Sequence, residues 1–143
     1  MASKNVVMYT DGACSGNPGN GGWGAYIEID DKKIELSGSE NNTTNNRMEL
    51  KAVIYALDYL NEKRDIIIFT DSKYVMHGIQ EWIKKWKTNE WKTAQKKDVK
   101  NKDLWIELDN LTDKHSIKWE WVKGHSGDYG NEIADKLAVA QIK

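Results

Sequence analysis

Two tetrapeptides of one form stand far apart in the chain: Tyr9-Thr10-Asp11-Gly12 and Phe69-Thr70-Asp71-Ser72. Each sets an aspartate behind an aromatic residue and a threonine, and each closes an apolar run, Val6–Tyr9 or Ile66–Phe69. Short apolar runs bounded by small polar residues read as strands. If the two strands lie parallel and adjacent, Asp11 and Asp71 stand side by side at their carboxyl ends. That edge is where α/β sheets place their ligands. Carboxylates so close repel and raise one pKa unless a cation neutralises them. A hard divalent ion with oxygen ligands is the natural occupant. Each aspartate, taken singly, can also do no more than close an Asx turn.

Three more side chains are candidates for the same chemistry. Glu49 lies one helical turn before Val53, at the amino end of a core-facing stripe, so it should point toward the sheet. It can instead form a capping box with Asn46, three residues earlier. Asp135 lies one turn before Ala138 in the last amphipathic segment, where a solvated surface acid is the simpler reading. His125 sits in the loop Gly124-His125-Ser126-Gly127, where an ordinary surface histidine is equally at home.

The elements that must position these groups follow from local pattern. Asn5–Thr10 reads as a strand, then Ser15–Gly22 as a turn cluster, then Trp23–Ile29 and Lys33–Leu36 as two further strands. Their connections are too short for a crossover helix, so the three should pair antiparallel. Gly38–Asn46 reads as polar loop. Leu50, Val53, Ile54, Leu57 and Leu60 then recur at helical spacing, which predicts a helix over 46–61 with Asn46 as N-cap. Ile66–Phe69 reads as a strand buried on both faces, and strand–helix–strand implies a right-handed parallel crossover. Ser72–Ile79 and Trp82–Lys87 read as short helices broken near Gly78. Residues 88–100 read as a Lys-rich loop. Asn101 should cap a helix to Leu111, Ser116–Val122 should be the last strand, and Asn131–Ile142 the last helix.

The net charge of −1 conceals an asymmetry. Trp82–Lys102 holds eight lysines against two acids, so this window carries +6 and the remainder −7. Four of the seven tryptophans, Trp82, Trp86, Trp91 and Trp105, lie in or beside it. Such a patch suits a polyanionic partner. The length of 143 residues suits one domain spanning 1–143. No apolar run exceeds six residues, which excludes a helix of about 20 that spans a membrane. The start, Met1–Met8, is too short and polar for a signal peptide. Cys14 is the only cysteine, so an internal disulfide and a cysteine-based zinc site are out, and a cytoplasmic setting is expected.

Several stretches in this order together resemble bacterial type 1 ribonuclease H. They are Tyr9–Gly12, Gly16-Asn17-Pro18-Gly19, Thr44-Asn45-Asn46-Arg47-Met48-Glu49-Leu50, Thr70–Ser72, Trp119–His125 and Asn131–Asp135. The resemblance runs from Asn5 to Ala140. It implies an α/β ribonuclease H-like fold: a five-stranded mixed sheet, three strands antiparallel and two parallel, with helices on both faces. It implies an endoribonuclease that hydrolyses the RNA strand of RNA–DNA hybrids and leaves 5′-phosphate and 3′-hydroxyl ends. The four catalytic carboxylates then fall on Asp11, Glu49, Asp71 and Asp135, holding two Mg2+ ions, with Mn2+ able to substitute. His125 falls on the histidine that assists proton transfer or product release.

The resemblance also distributes substrate contacts. Gly12, Cys14 and Asn17, with Asn45, Glu49 and Ser72, fall on the RNA side. Trp82 and Asn46 fall on the DNA channel, and Thr44 and Asn101 on the pocket for a DNA phosphate. The Lys/Trp window 82–102 matches a basic protrusion, with Lys84, Lys85 and Lys87 as phosphate contacts. Trp82 is expected to face nucleic acid, and Trp86 and Trp105 to be core. Two positions depart from a common bacterial pattern: Asn42 stands where an arginine is found, and Lys73 where a glutamine is. A monomer is expected. The competing reading is a hybrid-binding module of the same fold without catalysis, against which the complete carboxylate set argues.

Overall fold

The computed structural model describes residues 6–122 and 129–142. Its centre is a five-stranded sheet of β1 (Val6–Cys14), β2 (Gly19–Ile29), β3 (Lys32–Thr43), β4 (Asp65–Thr70) and β5 (Ser116–Trp121). The strands lie in the order β3-β2-β1-β4-β5. β1 pairs antiparallel with β2, and β2 with β3, while β4 runs parallel to β1 and to β5. This is the expected mixed sheet.

The helices are α1 (Asn45–Asp58), α2 (Lys73–His77), α3 (Ile83–Thr88), α4 (Lys102–Thr112) and α5 (Tyr129–Ala140). α1 and α5 lie on opposite faces, as two glycines of β2, an odd number of residues apart, show. A Cβ at Gly21 would point at the Met48 side chain of α1, whereas one at Gly24 would lie 2.5 Å from the Ala134 carbonyl of α5. The main core forms on the α1 side, where Val6, Met8, Ile27, Leu50, Val53, Leu57, Ile66, Ile68, Trp105 and Leu108 pack together.

The structure corrects several boundaries. β2 begins at Gly19, and β3 runs on to Thr43 through the stretch expected to be loop. The glycines there serve close approach rather than turning: Gly38 leaves room for the Trp23 indole, 2.6 Å from where a Cβ would sit. β4 is fully buried only at Ile66, Ile68 and Thr70, because the described helix on the other face, α5, packs on β1, β2 and β3. Phe69 instead stacks on Tyr9 at 4.8 Å between ring centroids. Gly78 breaks nothing. A π-helical turn, Gly78–Trp82, links α2 to α3, and Gly78 is bare because the Trp105 ring fills the space of its side chain. α1 starts one residue earlier than expected, with Thr44 rather than Asn46 as N-cap: its Oγ1 accepts the Arg47 N–H at 3.2 Å.

Candidate active site

Register places the first two acids. Thr10 and Thr70 are partners across the parallel β1–β4 pair, so Asp11 and Asp71 are the next residue on each chain. The turn after β4 is held twice: Thr70 Oγ1 accepts the Ser72 N–H at 3.1 Å, and Ser72 Oγ caps α2 by accepting the Val75 N–H at 3.2 Å. The Asp11 carboxylate accepts the Gly12 N–H at 3.0 Å. Glu49 comes from the start of the second turn of α1, which lies directly against β1, since a Cβ at Gly12 would stand 2.5 Å from the Met48 carbonyl carbon. The capping box with Asn46 does not form, because Glu49 faces the sheet and Thr44 does the capping.

Asp11, Glu49 and Asp71 thus converge, each offering a carboxylate oxygen within 4.8 Å of the others. Asp135 of α5 lies near enough to Asp11 to act on its carboxyl group. Asp11 and Glu49 are each 6% exposed. Burial, then the Asp71 charge, then the Asp135 contact push the Asp11 pKa up to about 8. Glu49 is raised well above its ordinary value by burial first and then by the charges of Asp11 and Asp71. These are the two causes that make a carboxylate hold its proton, and a nearby cation reverses both. Glu49 Oε1 is buried and has no hydrogen-bond partner, so it keeps a free oxygen for a ligand. Hard oxygen donors, mutual repulsion and an orphaned acceptor fit a divalent metal.

The other expected site residues form two groups. Gly12 and Cys14 of β1 lie beside the start of α1. Cys14 Sγ donates to the Thr43 carbonyl at 3.4 Å, and Asn17 Oδ1 accepts the Asn45 N–H at 3.2 Å, tying the β1–β2 turn to α1. Thr44 and Ser72 are the N-caps of α1 and α2, and Asn46 lies in the first turn of α1. The second group lies toward the basic segment. Trp82 is half-buried, stacked on His77 and edge-on to Tyr74. Trp105 is wholly buried as expected, while Trp86 is half-buried and lines a cleft of about 300 Å³ with Tyr74, Trp82 and Lys100.

Asn101 precedes α4, but its side chain caps nothing. It adopts φ 60° and ψ 30° and turns its amide to Arg47 and Tyr74. Lys84 and Lys85 are exposed, whereas Lys87 is paired with Asp109 at 3.2 Å, and Lys92 and Lys102 share Asp98. His125 lies outside the described residues.

Sequence reasoning missed Arg47 and Tyr74. Arg47 binds Asp103 through two nitrogens at 3.2 Å and Glu40 at 3.5 Å, joining α1, α4 and β3. Its place inside the Asn-Asn-Arg-Met-Glu stretch was a usable signal. Nothing around Tyr74 in the sequence marks it.

The model of one family, RNase H, matches residues 3–143. This chain belongs to the RNase H family. Its place there makes it an enzyme, a hydrolase of phosphodiester bonds. It is 62% identical over 139 residues to Ribonuclease H of Francisella philomiragia, covering 97% of this chain and 91% of that protein. Ribonuclease H of Francisella tularensis subsp. novicida matches at the same identity and coverage. Among solved structures, a type 1 RNase H with the type 2 active-site motif superposes with a TM-score of 0.88 at 31% identity, over 99% of this chain and 74% of that one. The N-terminal RNase H domain of a Mycobacterium tuberculosis protein superposes with a TM-score of 0.74 at 26% identity, over 97% and 94%. The acid cluster of this RNase H-family chain sits just past Thr10 and Thr70, where the parallel pairing of β1 and β4 ends.

Proposed function

We propose that the chain hydrolyses the RNA strand of RNA–DNA hybrids, leaving 5′-phosphate and 3′-hydroxyl ends. Asp11, Glu49, Asp71 and Asp135 hold two divalent ions, Mg2+ in ordinary use with Mn2+ able to replace it. When bound, such ions activate a water for attack on phosphorus and stabilise the leaving oxygen. The observation that carries this reading is the convergence within 4.8 Å of three carboxylates, those of β1 and α1 buried and that following β4 half-buried. A module that only bound nucleic acid would gain nothing from acids concentrated beside a phosphate.

The chain's own residues select and orient the hybrid. Only the 2′-hydroxyl separates the strands at a given sugar, so short polar groups are its sensors. Gly12, Cys14, Asn17, Asn45, Glu49 and Ser72 serve on the RNA side. Trp82 and Asn46 line the DNA channel, and Thr44 and Asn101 donate to a DNA phosphate. Lys84, Lys85 and Lys87 attach the basic protrusion at 82–102 to phosphates without regard to sequence. His125 assists proton transfer or product release. The 143 residues act as one domain and as a monomer in the cytoplasm. None of the described helices is long and apolar enough to cross a membrane.

The deciding assay uses labelled RNA–DNA hybrid, duplex RNA and duplex DNA, each with Mg2+ and with chelator. Cleavage of the hybrid's RNA strand alone, dependent on Mg2+ and lost in Asp71→Asn with the fold intact, is the expected result. Hydrolysis of the hybrid by Asp71→Asn at the unaltered rate overturns the assignment.

A further inference from the structure

We infer that Tyr74 is a positioning residue that presents the Asn101 side-chain amide as a hydrogen-bond donor to the DNA-strand phosphate. This rests on the hybrid-cleaving reading above. Asn101 Oδ1 accepts from the Arg47 guanidinium at 3.3 Å, and Asn101 Nδ2 donates to Tyr74 Oη at 3.0 Å. A guanidinium can only donate, so the amide has one permitted orientation: oxygen toward Arg47, nitrogen toward Tyr74. Arg47 cannot swing away, because Asp103 and Glu40 hold its other nitrogens.

The phenol is pinned as well. Trp105 Nε1 donates to the same Oη at 3.0 Å. The Trp105 ring has no exposure and lies where Gly78 has no side chain, so the indole cannot turn to another partner. Tyr74 Oη therefore accepts twice, and Asn101 Nδ2 keeps one hydrogen for a ligand. Two helices reach this amide, α1 through Arg47 and α2 through Tyr74, and α4 steadies the phenol through Trp105. α1 carries Glu49 and α2 follows Asp71, so the same bonds hold the phosphate donor at a set distance from the acid cluster.

Tyr74→Phe removes one oxygen and keeps the ring. The expected result is a rise in KM for the hybrid of about three- to tenfold with kcat changed by less than about twofold. Asn101→Ala should raise KM comparably, and the double variant should be no worse than Asn101→Ala alone. The melting temperature and the Trp105 indole resonance report on the fold. The melting temperature falls in either case, because Tyr74→Phe leaves the buried Trp105 N–H without its acceptor. A purely structural role lets the two effects on KM multiply; that outcome, or an unchanged KM in either single variant, overturns the inference. Should Tyr74→Phe not fold, isotope-labelled unaltered protein is titrated with hybrid in chelator at low salt. A shift of the Asn101 side-chain amide is expected, and its absence overturns the inference. Failure of the hybrid-cleaving reading shows separately, as no hybrid cleavage by the unaltered protein with Mg2+.

Discussion

Gly12 and Glu49 are packed backbone to backbone: a side chain at Gly12 would occupy the space of the Glu49 peptide nitrogen. The contact belongs to β1 on one side and the Met48–Glu49 stretch of α1 on the other. It sets how near the Glu49 carboxylate comes to Asp11 on the same strand. Gly12→Ala must lift the start of α1 off the sheet. Overpacking of this kind costs about 1–3 kcal/mol, and a displacement of about 1 Å at a reacting centre costs about a hundredfold in rate. The expected result is a chain that still folds, with a lower melting temperature and a kcat reduced by about a hundredfold. Unaltered kcat in Gly12→Ala would show that Glu49 tolerates the shift.

The raised pKa of Asp11 makes stability depend on pH in a stated direction. Its ordinary value is 3.8, and in the folded chain it is about 8. Between those values the folded state binds the proton more tightly than the unfolded state. The contribution is therefore full below the ordinary value and lost as pH rises through about 8. Without metal, the melting temperature should fall across that window, and Asp11→Asn should flatten the fall and melt higher at its alkaline end. A difference of about 1 kcal/mol corresponds to about 2–4 °C for a chain of this size. Thermal melts in chelator from acid to mildly alkaline pH check this.

Metal should act against the same repulsion. A ligand bound only by the folded state at a hundred times its dissociation constant stabilises by about 2.7 kcal/mol. Added Mg2+ should raise the melting temperature of the unaltered chain, more at pH 8 than at pH 5, since protons compete for the oxygens at the lower pH. Asp71→Asn should lose most of the rise. Equal shifts in both proteins would place the stabilising ion elsewhere.

The acid pair was legible because a repeated local pattern, aromatic–Thr–Asp–small, coincided with parallel register at Thr10 and Thr70. Glu49 was legible from helical period alone. The extent of β2 and β3 was not, because glycine signals turns in sequence and close packing in space. Gly21 and Gly38 look alike until Met48 and Trp23 are in place. Thr44 and Asn46 are both acceptable caps, and only the seat of Glu49 against the sheet decides between them. Asn101 stands at the start of α4 as expected but its side chain does not cap that helix, since its partners Arg47 and Tyr74 lie far away in the chain. Charge counting gave +6 for the protrusion but could not tell which lysines are spent on Asp98 and Asp109.

That last distinction separates the lysines by experiment. Lys84 and Lys85 are exposed and have no ion-pair partner among the described residues, whereas Lys87 is held by the mostly buried Asp109. A lysine that neutralises a phosphate releases a counterion, worth about 0.7–0.9 in the slope of log affinity against log salt. One already paired within the protein exchanges partners and contributes less. Replacing Lys84 and Lys85 by alanine should therefore raise KM several-fold at moderate salt and lower the salt slope by about 1.4–1.8, with kcat little changed. Lys87→Ala should alter the slope by a small fraction of that and should lower the melting temperature slightly, by freeing Asp109. Initial rates on a fixed hybrid across a salt series, with KM and kcat resolved at each salt, measure all three. Equal slopes for the double variant and for Lys87→Ala would mean that the Asp109 pair opens freely when the hybrid binds.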